Sequence, residues 1–428
     1  MGGAIGIEAS AASAAPWTLR RVATAGVIGN VLEWYDFAVY GFFTPILAAK
    51  FFPTADPRLS LFATFATFAV GFLMRPVGAA IFGHIGDRYG RARALLLSIA
   101  MMAVPTVLMG LLPTYETIGI AASVLIVALR MCQGVAVGGE FTASIVFLAE
   151  NAPARRRGFF ASFSMFGATT GTMLGSAVGA LLTNVMSAEA LASWGWRAAF
   201  VSGIAVAVVG IVIRRGMFDS PAKTTVTSPL AVAFRDHRWQ VLRVLGLNIA
   251  SAATYYTLFV YAANWVSQTT PLDRGVALNI NTVTIVTFLV VLPIAAWLSD
   301  RFGRKLMLVV GMSACLLLAY PLLTLMHAGA VVPTAPAQMT FGALLALQMA
   351  SIPAAMAEMF PRGVRVSAVS VGYGLAYALF GGTAPAVADR LIDWTGNETV
   401  FAWYLMGLTA ISLVLALGIT DRRGEPLS

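Results

Sequence analysis

GHIGDRYGRARA (Gly83–Ala94) and AWLSDRFGRKLM (Ala296–Met307) are one short charged pattern written twice, Asp-Arg-x-Gly-Arg at Asp87–Arg91 and again at Asp300–Arg304. Each copy follows the second long apolar run of its half of the chain, which divides the sequence into two related halves. A weaker echo supports the division. LAENAPARRRG (Leu148–Gly158) and MAEMFPRGVR (Met356–Arg365) share Ala-Glu, a Pro three residues after the Glu, and then basic residues.

What surrounds these loops is apolar. Of 428 residues, 59% are hydrophobic and only 11% charged, with a mean hydropathy of +0.81. An ordinary soluble domain carries roughly 25% charged residues, so the solvent implied here is lipid. The apolar runs are about 18 to 25 residues long, enough for a helix to cross a hydrocarbon core of roughly 30 Å. Spans are predicted at roughly 23–49, 60–83, 94–113, 118–149, 158–184, 197–214, 241–267, 276–298, 306–326, 338–359, 367–388 and 399–420. The fold class expected is all-α membrane protein, twelve transmembrane helices in two six-helix bundles. The parts are a cytoplasmic N-terminus (1–22), a first bundle (23–214), a cytoplasmic linker (215–240), a second bundle (241–420) and a tail (421–428). The linker region reads as holding a short surface helix at Leu230–Trp239.

Charge sets the expected orientation. With Arg20 and Arg21 inside, 21 of the 28 Lys and Arg residues fall in cytoplasmic gaps and five outside, leaving Arg75 and Arg130 within spans. Both termini are therefore expected in the cytoplasm, in a cell (inner) membrane. The formal charge of +9 is spread over short clusters between spans rather than one domain face, which argues against nucleic acid. The opening has no short signal-type apolar region, so the first span is expected to direct insertion. Cys132 and Cys315 lie far apart inside spans and read as small buried apolar residues, with no disulfide or metal framework.

The doubled Asp-Arg-x-Gly-Arg, with Gly83 four residues before Asp87, resembles the loop signature of the major facilitator superfamily. The gating set is Gly83, Asp87, Arg88, Gly90 and Arg91, with Asp300, Arg301, Gly303 and Arg304; Ala296 replaces the leading Gly of the second copy. Physically, the Asp residues can cap a neighbouring helix N-terminus and the Arg residues can grip carboxylates, a latch that favours one closed state and must release. Further stretches are similar to the metabolite:proton symporters that carry proline/betaine, citrate, shikimate and 2-oxoglutarate. These are GNVLEWYDFAVYG (Gly29–Gly41), GFLMRPVGA (Gly71–Ala79), RMCQGVAVGGEFTAS (Arg130–Ser144), WGWRAAF (Trp194–Phe200) and FGGTAPA (Phe380–Ala386). Gly374 and the pair Ala198-Ala199 depart from that pattern. The resemblance implies the major facilitator fold, alternating access, and import of a small organic solute with a proton.

Ionisable residues inside a membrane are functional candidates because their burial is costly. Glu33, Asp36 and Glu140 are the proton-coupling candidates, with Asp36 or Glu140 favoured as the carrier and an Arg75–Asp36 ion pair as the structural alternative. All three His residues lie at span ends or loops. Arg75, Arg130, Tyr35, Gln133, Tyr255 and Tyr256 are the candidate substrate-binding residues, and the last two offer aromatic faces that suit ammonium groups. Gly167, Gly171, Gly175 and Gly179 form a small-residue stripe read as helix packing. Ser176 after Gly175, where drug exporters have Gly-Pro, leans toward uptake. No nucleophile–base pair or metal-ligand cluster is recognisable, so no enzyme activity, cofactor or metal is expected. The partners expected are a solute, a proton and the bilayer, with a functional monomer; a proton-driven exporter and a non-transporting sensor are the rival readings.

Overall fold

The computed structural model describes residues 19–78, 81–82, 85, 91–138, 140–205, 208 and 229–427. Gly83, Asp87, Arg88 and Gly90, and the side chains of Arg91 and Glu140, lie outside the described residues. Those described are almost entirely helical, and no strand occurs among them. The first half contributes α1 (Leu19–Phe42), α2 (Pro57–Leu73), α3 (Arg91–Leu111), α4 (Ile120–Asn151), α5 (Arg157–Val185) and α6, which opens at Trp196–Val201. The second half contributes α7 (Arg238–Thr269), α8 (Arg274–Phe302), α9 (Arg304–Met326), α10 (Val331–Glu358), α11 (Arg365–Thr395) and α12 (Phe401–Leu417). A short helix at Pro229–Asp236 precedes α7.

Eight of these helices meet the length and hydropathy needed to cross a membrane on their own, among the described residues. Helix α1 is not one of them, because Asn30, Glu33 and Asp36 face inward where they are buried. The outer surface is the reverse of a soluble protein's. Val332, Leu317 and Val414 are 82%, 73% and 68% exposed, while Asn248, Asn281, Gln338 and Gln348 are buried. Lipid removes the penalty on exposed apolar groups, and the interior supplies partners for the amides: Gln338 donates to Asn281 at 3.1 Å and Gln348 to Ser251 at 2.9 Å. Cys315 is buried, but Cys132 is exposed on α4, a correction to the sequence reading that leaves the thiol facing the same apolar medium.

Packing repeats between the halves. In the first half α1 lies on α5, α3 on α4 and α6, and α2 on α4; in the second, α7 lies on α11, α9 on α10 and α12, and α8 on α10. The halves meet where α5 packs on α8 and α2 on α11, which a two-fold relation between them requires of each other. Helix α5 approaches α1 closely because Gly171 leaves its Cβ position to the Val31 carbonyl, which would sit 2.2 Å from an added methyl. Gly171→Ala is therefore expected to lower stability by about 1–3 kcal/mol, read as a lower melting temperature of the purified protein.

Among the described residues, five-residue π turns occur at Leu191–Gly195 before α6, Thr257–Tyr261 within α7 and Tyr377–Gly381 within α11. The last two adjoin the central tyrosines.

Candidate functional site

Between the bundles, α1 directs two carboxylates to different neighbours. At 100° per residue, positions three apart differ by about 60° around a helix, enough to separate their partners. Glu33 faces Arg75 beyond the end of α2, with Nη2 to Oε1 at 3.4 Å and both side chains under 10% exposed. Asp36 instead accepts a hydrogen bond from the Thr106 hydroxyl on α3. Arg75 thus pairs with Glu33 and not with Asp36, the partner that the structural alternative gave it.

Asp36 is tied to a cation through a chain of neutral groups. Arg130 Nη1 donates to Gln133 Oε1 at 2.8 Å, and Gln133 Nε2 donates to Thr106 Oγ1 at 2.8 Å. Thr106 Oγ1 lies within reach of both the Asp36 carboxylate and the Met102 carbonyl, at 2.8 Å from the latter, and has one proton to give. With Asp36 ionised, that proton goes to the carboxylate. With Asp36 protonated, its own O–H donates to Thr106, whose proton turns to Met102 while Gln133 fills the second lone pair. At Oδ2 both protonation states find a partner without moving a helix. Asp36 Oδ1, Arg75 Nε, and Arg130 Nε and Nη2 meet no hydrogen-bond partner among the described residues, so the cluster keeps spare capacity of both signs.

Aromatic rings enclose these charges. Arg130 Cζ lies 4.1 Å from the Phe37 ring centroid and 4.6 Å from that of Tyr40, and Arg75 Cζ lies 4.3 Å from that of Phe72. Trp34 stacks on Tyr256 with centroids 5.9 Å apart and meets Tyr255 and Tyr377 edge-on at 5.4 and 6.3 Å. The Tyr256 hydroxyl and Trp34 Nε1 are buried without a partner among the described residues.

A second group occupies the face that carries the Asp300 loop. The Asp300 carboxylate accepts from the backbone N–H groups of Gly158 and Phe159 at 2.8 Å each, capping the start of α5 from the other half. Arg304 reaches Asp300 at 2.7 Å and Glu358 at 3.2 Å, and Arg157 reaches Glu358 at 2.9 Å. Arg365 pairs with Glu150. Glu150 and Arg157 are seven residues apart, as are Glu358 and Arg365, and each Glu pairs with the Arg of the other half. Gly303 turns the chain from α8 to α9 at φ +110°, with Asp421 packed where a Cβ would stand. The tail lies over this cluster: Arg157 donates to the Glu425 carbonyl at 2.9 Å and Arg422 to that of Glu358 at 3.4 Å.

The structure brings Glu33, Asp36, Arg75, Arg130, Gln133 and Tyr256 together. Tyr35 turns away, its hydroxyl on the Ala199 carbonyl at 3.0 Å and Ser202 at 2.7 Å, and braces α6 instead. The Tyr255 hydroxyl joins Thr172 at 2.9 Å and Thr169 at 3.3 Å, clasping α7 to α5 across the halves. Arg301 is exposed, against Trp297 and Phe302. Sequence reasoning missed Trp34, Thr106 and Tyr377 in the centre; Trp34 stood inside a quoted stretch, and Thr106 follows the mid-helix Pro105.

Two six-helix bundles around a buried charged cluster, clasped on one face by exchanged ion pairs, define a major facilitator fold and with it a membrane transporter. The family model described as "Sugar (and other) transporter" matches residues 22–222 and 218–420, and the chain belongs to that family. It is 34% identical over 425 residues to a glycine betaine/proline/ectoine/pipecolic acid transporter of Dickeya dadantii, covering 96% of this chain and 85% of that one. It is 32% identical to a citrate-proton symporter of Klebsiella pneumoniae, covering 96% of each. Its fold matches the crystal structure of a D-xylose-proton symporter at a TM-score of 0.77 and 19% identity, over 95% of this chain and 99% of that one.

Proposed function

We propose that this chain imports a small organic solute together with a proton across the cell membrane by alternating access, with both termini in the cytoplasm. The Asp300 face is then cytoplasmic, as the distribution of Lys and Arg favours. The observation that carries the coupling is the chain from Arg130 through Gln133 and Thr106 to Asp36, which accommodates a carboxyl group with and without its proton. Asp36 is the proton carrier in this reading, ahead of Glu33, whose charge Arg75 already holds, and of Glu140. Residues from both halves of one chain form the central cluster, so a monomer suffices.

The solute class follows from the same cluster. Arg75 suits a carboxylate, while Glu33 and the rings of Trp34, Tyr256 and Tyr377 suit an ammonium group. A zwitterion such as proline or betaine uses both, and a small carboxylate uses one. The relatives named for betaine, proline and citrate transport support that range. The test is uptake by proteoliposomes of betaine, proline, citrate, 2-oxoglutarate and shikimate, with external pH recorded. Expected is uptake of a zwitterion accompanied by external alkalinisation; uptake with no proton movement, or none of any solute, overturns the reading. Counterflow separates a transporter from a sensor that only binds.

A further inference from the structure

At the face opposite the Asp300 loop lies a cavity of about 620 Å³ between the two halves. Its walls come from the segment Pro45–Leu61 on one side and from α7, α11 and Glu398 on the other. It is separate from the central cluster: no residue of the Asp36 chain or of the Trp34 ring group lines it.

Its charged lining is mainly acidic. Asp389 and Glu398 line it with a single guanidinium, Arg58, which already pairs with Asp393 across the halves at 3.2 Å. Tyr261 and Trp265 supply aromatic walls. Both rings are held from behind, Trp265 stacked on His327 at 5.6 Å and edge-on to Phe401 at 5.1 Å, Tyr261 edge-on to Phe65 at 5.6 Å. Trp265 is 1% exposed and its indole N–H meets no acceptor; Glu398 Oε2 is likewise buried without a donor among the described residues. Two carboxylates beside rigid aromatic faces form a receptor for an organic cation, and a cleft whose lining is acidic on balance raises the local concentration of its counterion. We propose that this cavity is a capture site for organic ammonium groups, held by Asp389 and Glu398 and walled by Tyr261 and Trp265. The transport reading places it on the external face, where it meets solute before the central cluster does. A soluble ammonium and a choline lipid headgroup offer the same chemistry.

The test uses the full chain in phosphatidylglycerol nanodiscs and saturation-transfer difference NMR of tetramethylammonium, with neutral tert-butanol as the isosteric control. The background is Glu33→Gln with Asp36→Asn, which removes both central carboxylates, so the outcome does not depend on whether the central site transports anything. Expected is saturation transfer to tetramethylammonium in that background, at least fivefold stronger than to tert-butanol, and reduced at least fivefold by adding Asp389→Asn with Glu398→Gln. Each single variant, checked for monodispersity on gel filtration, should give an intermediate loss. Equal signals from the two probes, or a signal indifferent to both carboxylate variants, overturns the proposal. Repeating the titration in phosphatidylcholine separates the sources: competition by that lipid assigns the site to a headgroup, and its absence to a free solute.

Discussion

Asp36→Asn is expected to reduce proton-driven accumulation of solute by about 100-fold while leaving solute counterflow close to that of the unaltered protein. The asparagine is neutral and keeps one acceptor and one donor where the protonated acid has them. Its amide can donate to Thr106, whose proton then stays on the Met102 carbonyl, while Gln133 continues to donate to Thr106. The variant therefore holds the hydrogen-bond pattern of the protonated state permanently. Binding and exchange of solute across a preloaded membrane need no change of charge at this position, whereas accumulation does. Measuring both in one preparation of proteoliposomes separates the two effects. Equal loss of counterflow and accumulation, or retained alkalinisation during uptake, would remove Asp36 from the role of carrier. Thr106→Val is expected to weaken coupling less, because it deletes the switchable hydroxyl and leaves the acid.

The second large effect is expected at Glu358. This one carboxylate receives Arg157 at 2.9 Å and Arg304 at 3.2 Å, and all three side chains are 5% exposed or less. Glu358→Gln leaves two buried guanidiniums with one carboxylate, Asp300, between them. Removing one partner from a buried pair costs about 3–5 kcal/mol, mostly from the charge left behind. That cost falls on the state in which the halves are closed at this face, since Arg157 and Glu358 belong to different halves. A shift of that size changes an equilibrium between closed and open by roughly two to four powers of ten. Spin labels on the loops beside Glu150 and Arg365 are expected to report a longer distance distribution in the variant. An unchanged distribution would mean that the cluster stabilises the bundle without biasing its opening. The exchanged pair allows a rescue: reversing the charges at Glu150 and Arg365 together should restore more closure than either reversal alone.

The fold was legible because its signals are long and redundant. Apolar runs of span length, the doubled Asp-Arg-x-Gly-Arg and the glycine stripe each describe a whole helix or a whole half, so an error of a few residues changes nothing. Helix ends illustrate the limit. The expected first span, 23–49, is two helices, because the chain breaks between Phe42 and Thr44 and restarts with Pro45; the tenth begins at Val331 rather than 338. The site was legible as a set of residue types and not as a set of pairs. Glu33 and Asp36 share a face at the resolution of a helical wheel, yet their carboxylates reach Arg75 and Thr106 on different helices. No spacing rule encodes which of two nearby acids meets a given base, since that depends on crossing angles between α1, α2 and α3. Tyr35 was drawn into the set by its neighbours in sequence, and a rotation of one residue sends its hydroxyl to α6. The weaker echo after spans four and ten held more than its similarity suggested, because its equal Glu-to-Arg spacing is what lets the two halves exchange partners.

The π turns at Thr257–Tyr261 and Tyr377–Gly381 bear on how this chain tolerates insertion and deletion. A turn closed by i→i+5 bonds holds one residue more than the α-helical turn it replaces, so it can lose a residue and remain a helix. The loss would return the turn to α geometry and leave the segments on either side close to their former facing, so that in α11 Tyr373 and Asp389 would keep their register. Single-residue deletions elsewhere in these spans would rotate one side by about 100°, shift a face into lipid and break packing. Length variation confined to these two turns would thus change the local surface beside the central tyrosines without rebuilding the bundle around it.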